Sequence, residues 1–487
     1  MYNKKNITSA LINEFITMIS GLILPRLIIG TFGSELNGLV SSITQFLSFI
    51  SLLEGGLGAV VLAELYKPIE NHDENKIQEI LSECQNFFTK LAAIYIAYTV
   101  VLGIVYPIFI NASYGFIYTS SLVVILSCTT LVRYLFSITN RLYLQANQKI
   151  YIVNIITAVI TATNLIIAII VIKVYPEIHV LKIMSDILFL IQPVAFNRFV
   201  DKKFHTKVRI SKKNTTVLTN RWSGFSQNLA YFINMNTDVA VITVFLGLKE
   251  VSVYNVYMLA VNALRKFMSL LSNSYQSALG KYYVAEDKKL LGSKFNSFDS
   301  INTQISLIAF NTCLLLINPF VSIYTMGVED ANYYQPAFAL VIVLANLIYC
   351  IREPYRYVVL VAGKFKETNF GSMMEAILNI GISLILVRWL GLLGVAIGTF
   401  IAIGYRYIYF IIYLKKDVIY LDLKRFVLRF IVILIVCIVN VVAYFVLDLS
   451  IANAISFILY GFGTVLLEAV VTFSLFWIEG KIESRFF

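Results

Sequence analysis

Residues 198–221 read RFVDKKFHTKVRISKKNTTVLTNR and form a strongly basic stretch a little before the midpoint of the chain. The stretch holds eight Lys and Arg residues against a single acid, Asp201. Almost all of the sequence on either side of it is apolar. We interpret this stretch as a cytoplasmic hinge loop that joins two membrane-embedded halves.

The composition of the chain is that of a membrane protein. Of its 487 residues, 59% are hydrophobic and only 14% are charged, whereas about a quarter of a soluble domain is charged. The net charge of +11 could suggest nucleic-acid binding. The basic residues lie mainly in the loops of one predicted face, however, so the positive-inside rule explains them better, and we expect no nucleic-acid partner.

Apolar segments of about 20 residues, the length that crosses a bilayer, recur along the whole sequence. They predict an all-α integral membrane protein with about fourteen transmembrane helices and both termini on the same side. The predicted spans are 9–30, 37–64, 86–110, 116–140, 150–173, 179–199, 222–247, 251–280, 296–320, 337–360, 370–388, 391–414, 425–446 and 450–478.

The orientation follows from the distribution of positive charge. One face of this arrangement offers only Lys173, Lys249 and Arg388, each near a helix end. The other face carries most of the remaining basic residues, including the hinge, so we expect the hinge and both termini to be cytoplasmic. The first apolar run has no small-residue cleavage site after it, so we interpret it as a retained span. These features predict a multi-pass membrane protein with cytoplasmic termini.

The two halves of the sequence are weakly repeated. At an offset of 215 residues, Arg141 and Asn164 correspond to Arg356 and Asn379. Six helices per half would give both halves the same orientation, as parallel repeats related by a pseudo-two-fold axis along the membrane normal. We therefore predict an N-lobe (1–199), a basic hinge (200–221), a C-lobe (222–414) and a C-terminal helix pair (415–487).

The cysteine and histidine residues indicate no metal site and no catalytic triad. The five cysteines form no CxxC pair, and most lie in apolar helices. The three histidines lie in loops or at a helix end. Outer loops are too short to form an extramembranous catalytic domain. We therefore expect no enzyme activity, no catalytic residues and no cofactor.

Polar residues recur along single faces of several predicted spans. One interpretation is that they join helices by hydrogen bonds, and the other is that they line a shared hydrated cavity. The cavity interpretation is favoured because the stripes occur on several helices in both halves. The neutral candidates for this cavity are Asn255 and Asn262 of the eighth span and Gln227 and Asn234 of the seventh.

Ionisable residues at membrane depth are costly and are therefore candidates for function, although a structural ion pair is an alternative for each. Arginine suits phosphate because its fork of donors stays charged, and a buried carboxylate can carry a proton or bind sodium. We expect Arg388, Arg406, Lys173 and Glu64 to reach the interface from helix ends as structural residues. The remaining charged candidates are Arg26, Arg133, Arg265, Arg352, Glu14, Glu54 and Asp238.

Two stretches near the N-terminus carry a family resemblance. ISGLILPRLIIGTFGSELNGLVSSI (residues 19–43) and SLLEGGLGAVVLAELYKP (residues 51–68), with the two six-helix lobes and the added helix pair, resemble bacterial polysaccharide flippases of the multidrug/oligosaccharidyl-lipid/polysaccharide (MOP) exporter superfamily. The resemblance covers essentially the whole chain, but no single motif in it is diagnostic.

The resemblance implies movement of an undecaprenyl-pyrophosphate-linked oligosaccharide, such as a capsule or O-antigen repeat unit, to the outer leaflet by rocking of the lobes. It implies contact with membrane lipid and a glycan polymerase with its assembly machinery as partners. The arginines Arg26, Arg133, Arg265 and Arg352 would then neutralise pyrophosphate, and the Asn and Gln residues would bind sugar. Glu14, Glu54 or Asp238 would bind a coupling Na⁺ or H⁺.

Three alternatives remain beside this interpretation. A cation-drug antiporter of the same superfamily predicts a net acidic cavity, which the mixed deep charges disfavour. A lipid II flippase shares the fourteen-helix plan, and the sequence separates it poorly. A membrane enzyme would need larger outer loops or intramembrane His/Asp pairs, which the sequence does not contain.

Overall fold

The computed structural model describes residues 2–54, 56–110, 113–204, 225–284, 288–364, 367–417, 419, 423–447, 451 and 453–486. Within these ranges all regular secondary structure is helical, and the chain forms two compact units. Unit 1 comprises residues 1–232 and 247–252, and unit 2 comprises residues 233–246 and 253–487. The prediction of an all-α membrane fold is confirmed. Most of the basic hinge, residues 205–221, lies outside the described residues.

Unit 1 begins with a helix of unusual length. Helix α1 has 47 residues, or roughly 70 Å at 1.5 Å per residue, about twice the thickness of a bilayer core. Gly33 is non-helical, with φ 86° and ψ 171°. It divides α1 into two segments, as the predicted spans 9–30 and 37–64 require. The α-helices of the first half are α1 (Tyr2–Ser48), α2 (Leu57–Glu70), α3 (Glu74–Phe109), α4 (Phe116–Val132), α5 (Ile138–Ala146), α6 (Ile150–Val174), α7 (Ile178–Phe189) and α8 (Ile191–Phe204).

Three predicted spans of the first half are interrupted rather than continuous. The span 37–64 changes to a 3₁₀ helix over Phe49–Glu54 and restarts at Leu57, because Gly56 adopts a left-handed conformation with φ 78°. The span 116–140 contains a π-helical turn over Arg133–Ser137 between α4 and α5. The span 179–199 breaks at Leu190 between α7 and α8, three residues before Pro193, which has no N–H to continue the hydrogen-bond ladder.

The second half matches the predicted spans more closely. Its helices are α9 (Phe225–Phe245), α10 (Leu248–Val284), α11 (Lys288–Tyr324), α12 (Pro336–Val361), α13 (Asn369–Leu390), α14 (Leu392–Asp417), α15 (Leu423–Val446) and α16 (Ala454–Phe486). Within unit 2, α12 packs against α11 and α14, and α13 packs against α14. Helices α15 and α16 both pack against α11, so the C-terminal helix pair belongs to unit 2.

Eleven segments of the described chain are long and apolar enough to cross a membrane. One of them, Lys4–Glu54, contains the Gly33 break and accounts for two predicted spans. Helices α9 and α10 coincide with the predicted spans 222–247 and 251–280. Each of the fourteen predicted spans therefore coincides with helical structure. Many large apolar side chains on these helices are exposed, as expected for surfaces that face lipid.

Candidate functional site

In unit 1 the structure pairs two of the residues that the sequence had assigned to different roles. Arg133 Nη2 lies 3.0 Å from Glu54 Oε1, and the Tyr134 hydroxyl donates to the same oxygen at 2.6 Å. The Arg133 side chain is 45% exposed and that of Glu54 is 26% exposed. Arg133, which we expected to bind phosphate, and Glu54, which we expected to bind the coupling ion, thus neutralise each other at one accessible position.

The local structure explains why these residues meet. Glu54 ends the 3₁₀ segment that precedes α2, and Arg133 begins the π-helical turn after α4. Turns of this kind interrupt regular helix geometry and are frequent at functional sites. The Tyr134 ring is fully buried against Phe88 and Tyr95, which fixes its hydroxyl beneath Glu54.

The other two unit 1 candidates do not form a single site with each other. Glu14 and Arg26 both lie on α1 and both are partly buried. They are twelve residues apart, or roughly 18 Å along a helix axis. The Arg26 side chain instead lies along its own helix toward the next turn, where its Nη1 would lie 3.3 Å from a Cβ added at Gly30.

In unit 2, Asp238 of α9 is the centre of a buried hydrogen-bonded cluster. Its Oδ2 receives hydrogen bonds from the Tyr254 hydroxyl of α10 and from Thr399 Oγ1 of α14, both at 3.1 Å. Asn379 of α13 donates to Thr399 Oγ1 at 3.1 Å. Oδ1 of Asp238 is also buried and receives no hydrogen bond from the described residues. The Asp238 carboxylate thus links α9 to α10 and α14, and through Thr399 to α13. Its Oδ1 can still accept a hydrogen bond.

Two predicted phosphate-binding arginines share one aromatic ring. The guanidinium carbon of Arg265 lies 4.1 Å from the Tyr349 ring centroid, and that of Arg352 lies 4.7 Å from it. Arg265 is partly exposed, whereas Arg352 is 4% exposed. The positive charge of Arg265 also acts on Asp238, so the ring stack and the Asp238 cluster are neighbours within unit 2.

The buried end of this stack is an ion-pair network that the sequence analysis missed. Arg352 pairs with Glu375 through Nη1 and Oε1, and Arg406 Nε lies 3.7 Å from Glu375 Oε2. Arg406 is 4% exposed and donates to the Thr368 carbonyl and to Ser372 Oγ. The prediction that Arg406 reaches the interface was therefore wrong: it enters the protein because Glu375 and the end of α13 supply acceptors. Arg388, Lys173 and Glu64 are exposed, as expected.

The neutral polar stripe of α10 does not share one environment. Asn262 is exposed, whereas Nδ2 of Asn255 is buried and lacks a hydrogen-bond partner in the described part of the chain. Ser272 donates to Asn302, which in turn donates to the Cys350 carbonyl, so Ser272 joins helices. The backbones of Gln227 and Asn234 lie in α9, but their side chains fall outside the described residues.

Charge at membrane depth was the signal that found Asp238, Arg265 and Arg352. Tyr349 and Thr399 were missed because uncharged residues of these types are common in apolar helices. Glu375 lies only six residues into α13, where a sequence suggests a helix end rather than a buried pair. A search for a partner to each deep arginine would have found it.

No family model matches the sequence, and no curated protein matches it. Several solved structures are similar, among them these three. A lipid II flippase MurJ in an inward closed conformation matches with a TM-score of 0.73 at 16% identity, over 97% of this chain and 99% of that one. An inward-facing multidrug resistance MATE family transporter of the MOP superfamily matches with a TM-score of 0.59 at 14% identity, over 84% and 99%.

The third is a MOP superfamily transporter from Pyrococcus furiosus, with a TM-score of 0.60 at 12% identity, over 85% of this chain and 95% of that one. At these identities the likeness concerns the fold. The chain thus has the fold of MOP-superfamily transporters, and the MurJ structure matches it over nearly its full length.

Proposed function

We propose that this protein is a flippase that moves an undecaprenyl-pyrophosphate-linked oligosaccharide repeat unit from the cytoplasmic to the outer leaflet by alternating access. The observation that carries the proposal is the Arg265–Tyr349–Arg352 stack. Together with Arg406 it brings three arginines near two acids, Asp238 and Glu375, so the cluster has an excess of positive charge. An anionic head group suits such a cluster, whereas a cationic drug does not.

Arg265 is the member of this cluster that is placed to bind pyrophosphate. It is partly exposed, while Arg352 and Arg406 are buried. The contact with Tyr349 is a cation–π interaction of the guanidinium charge with the ring, whereas phosphate oxygens bind the guanidinium N–H groups. The two interactions are compatible. Tyr349 then holds the guanidinium in place and reduces the entropy lost when the substrate binds.

The Glu54–Arg133 pair supports a second contact in unit 1. An ion pair that is this exposed contributes only about 0–1 kcal/mol to stability. Exchange of Glu54 for a phosphate oxygen would therefore cost little. We propose that Arg133 binds the head group in this way, with Arg26 as a further cationic contact. Asn255 and Asn262, with Gln227 and Asn234, would bind sugar hydroxyls.

For the coupling ion we propose Asp238 rather than Glu14 or Glu54. Its carboxylate is buried, two hydroxyls donate to Oδ2, and Oδ1 receives no donor from the part of the chain described. Thr399 adds a hydroxyl oxygen, a type of ligand that hard cations prefer. A proton or Na⁺ at Asp238 would change the charge beside Arg265 and would therefore change the affinity of Arg265 for phosphate.

Lipid II transport is the second candidate, because the structure matched over 97% of this chain is that of a lipid II flippase. Lipid II is itself a polyprenyl-pyrophosphate-linked saccharide, so the same arginines would serve. A cation-drug antiporter is the third and is disfavoured by the excess of arginine. The proposal places the protein in the bacterial cytoplasmic membrane, with both termini cytoplasmic, beside a glycan polymerase and its assembly machinery.

The test is depletion of this protein in its host, followed by mass spectrometry of polyprenyl-linked glycans. We expect a complete lipid-linked repeat unit to accumulate on the inner leaflet while the surface polymer is lost. Accumulation of lipid II alone would identify the second candidate. Unchanged lipid intermediates together with new sensitivity to cationic dyes would refute the flippase proposal and support the antiporter.

A further inference from the structure

Helix α16 runs antiparallel to α11 with a defined register. The rings of Phe320 and Phe457 lie 6.2 Å apart, and Leu316 Cδ1 would lie 3.8 Å from a Cβ at Gly461. In an antiparallel pair each step forward along one helix is a step back along the other. The pairs 320/457 and 316/461 obey this rule, so the register can be followed toward the C-terminus.

At the end of the register nearest the C-terminus lies a buried charge cluster. Arg429 of α15 donates to Asp299 of α11 at 2.6 Å and to Glu479 of α16 at 3.2 Å. The Tyr355 hydroxyl also reaches Asp299, at 3.3 Å. All three charged residues are less than 10% exposed. Two carboxylates thus share one guanidinium, and Oδ1 of Asp299 has no hydrogen-bond partner in the described chain.

Deeper along the same helices lies a second carboxylate, Glu468 of α16. It is 2% exposed and accepts a hydrogen bond from Asn440 of α15 at 3.2 Å. Asn311 of α11 is fully buried and lies close enough to the Glu468 carboxylate to interact with it. The titratable group that faces Glu468 from α15 is the Cys437 thiol. Where side chains are described, no salt bridge joins Glu468.

Between these two levels the register places Ser306 of α11 opposite Thr472 of α16. Both side chains are fully buried. Neither hydroxyl has a hydrogen-bond partner in the described residues. Buried hydroxyls of this kind are normally satisfied by ordered water. We call the three levels, Asn311/Glu468, Ser306/Thr472 and Asp299/Glu479, together with Arg429 and Asn440, the C-terminal seam.

We propose that the C-terminal seam is a proton pathway that ends at Glu468, a proton-binding site separate from Asp238. An uncompensated carboxylate inside a hydrocarbon layer is costly unless it binds a proton or another cation. The unpartnered hydroxyls of Ser306 and Thr472 supply the donors and acceptors that a file of water molecules needs, and Asn311 lies beside the carboxylate at its end. Glu468 and Glu479 are eleven residues apart, or roughly 16 Å along the helix axis, which is about half the thickness of the hydrocarbon core.

Helix–helix adhesion is the competing explanation, since polar side chains also join helices in membranes. Adhesion accounts for Arg429 and Asn440, whose hydrogen bonds cross between helices. It does not account for buried groups that make no such bond, because an adhesive residue stabilises only through its partner. The unpartnered hydroxyls of Ser306 and Thr472 therefore favour the pathway.

The test measures proton uptake by the purified full-length protein in nanodiscs after a pH jump, with a soluble pH-sensitive dye and infrared detection of protonated carboxyl groups. We expect Glu468→Gln to bind one proton fewer and to lose one carboxyl band. Thr472→Val should leave the number of protons unchanged but slow uptake roughly fivefold, because a water in the file loses one hydrogen bond. The matched control is Thr464→Val on the same helix, whose hydroxyl bonds the Tyr460 carbonyl outside the seam.

Equal proton numbers for wild type and Glu468→Gln would overturn the site. Equal uptake rates for Thr472→Val and Thr464→Val would overturn the pathway, and this comparison holds even if Glu468→Gln folds poorly. No glycan substrate is present in the experiment. A failure here therefore leaves the proposed flippase function unaffected, and failure of the flippase test leaves the seam unaffected.

Discussion

Arg265 stacks on Tyr349 with 4.1 Å between the guanidinium carbon and the ring centroid, and it is the partly exposed member of an otherwise buried arginine cluster. Tyr349 thereby connects an accessible cation to the Arg352–Glu375 pair behind it. Arg265 thus forms the accessible side of the stack, and Arg352, which is paired with Glu375, forms its buried side. The first prediction concerns its accessible side.

Replacement Arg265→Gln should reduce transport of the lipid-linked glycan by at least about tenfold, since a charge-assisted phosphate contact contributes about 1.5–3 kcal/mol. The measurement is surface polymer in a depletion strain complemented with the variant at equal protein level. Arg388→Gln is the control, because Arg388 is exposed and stacks on Phe245. Transport that is equally impaired in both variants would contradict a specific role for Arg265.

The Glu54–Arg133 pair should matter for transport more than for stability. Glu54→Gln should change the free energy of unfolding by less than about 1 kcal/mol, because the pair is partly exposed. The same variant should strengthen binding of a polyprenyl pyrophosphate, which no longer competes with the carboxylate. Arg133→Gln should weaken that binding. Scintillation proximity binding compares the two variants, and an effect of the same sign in both would argue against competition.

The Asp238 cluster should confer the ion dependence of transport. In proteoliposomes, Asp238→Asn should abolish stimulation by a Na⁺ or pH gradient, because an amide cannot carry a coupling charge. Thr399→Val, which removes one hydroxyl donor from Oδ2, should weaken the stimulation without abolishing it. Stimulation of normal size in Asp238→Asn would move the coupling site elsewhere, with Glu14 the remaining acid proposed earlier on α1.

Glu375 should be a stabilising residue rather than a transport residue. It separates two buried arginines, so Glu375→Gln leaves positive charge uncompensated and should cost about 3–5 kcal/mol. Thermal unfolding of the purified variant measures this loss. Glu367→Gln breaks the exposed Lys364–Glu367 pair and should leave the melting temperature nearly unchanged. Similar losses in both variants would mean that burial of the network does not govern its strength.

A larger residue at Gly371 should destabilise the protein for steric reasons, whereas a larger residue at Gly381 on the same helix should not. A Cβ at Gly371 would overlap Arg406 Nη1 and the Tyr409 ring, whereas a Cβ at Gly381 meets no atom of the described chain within 4 Å. Gly371→Ala should therefore destabilise the protein by about 1–3 kcal/mol, and Gly381→Ala should stabilise it by up to about 1 kcal/mol through helix propensity. Melting temperatures that shift in the same direction would contradict this account.

The fold was largely predictable because lipid imposes a strict length on each helix. Helix α6 spans Ile150–Val174 where the sequence predicted 150–173, and α12 spans Pro336–Val361 against 337–360. The breaks at Gly56 and around Arg133 were not predicted. They arise from backbone geometry and local packing, neither of which changes the mean hydropathy on which span prediction depends.

The candidate site was predictable only in part. Asp238 and Arg265 stood out because charge is rare in apolar helices. Their partners did not: Thr399 follows Asp238 by 161 residues, and Tyr349 follows Arg265 by 84. Such pairings depend on how helices are packed, and residue spacing along one helix carries no information about them. The same limit explains why Glu54 and Arg133 were assigned separate roles although they form a pair.

The C-terminal seam also determines the rotation of α16 about its own axis. Most large apolar side chains of this helix, such as Leu459, Phe462 and Leu466, are exposed. Lipid tails are as apolar as leucine, so these residues do not favour one rotation of the helix about its axis over another. Glu468 and Glu479 supply that preference through Asn440 and Arg429. The residues on the lipid-facing side of α16 can therefore be exchanged for other apolar residues. Moving Glu468 and Glu479 to another face of the helix would instead rotate α16 about its axis.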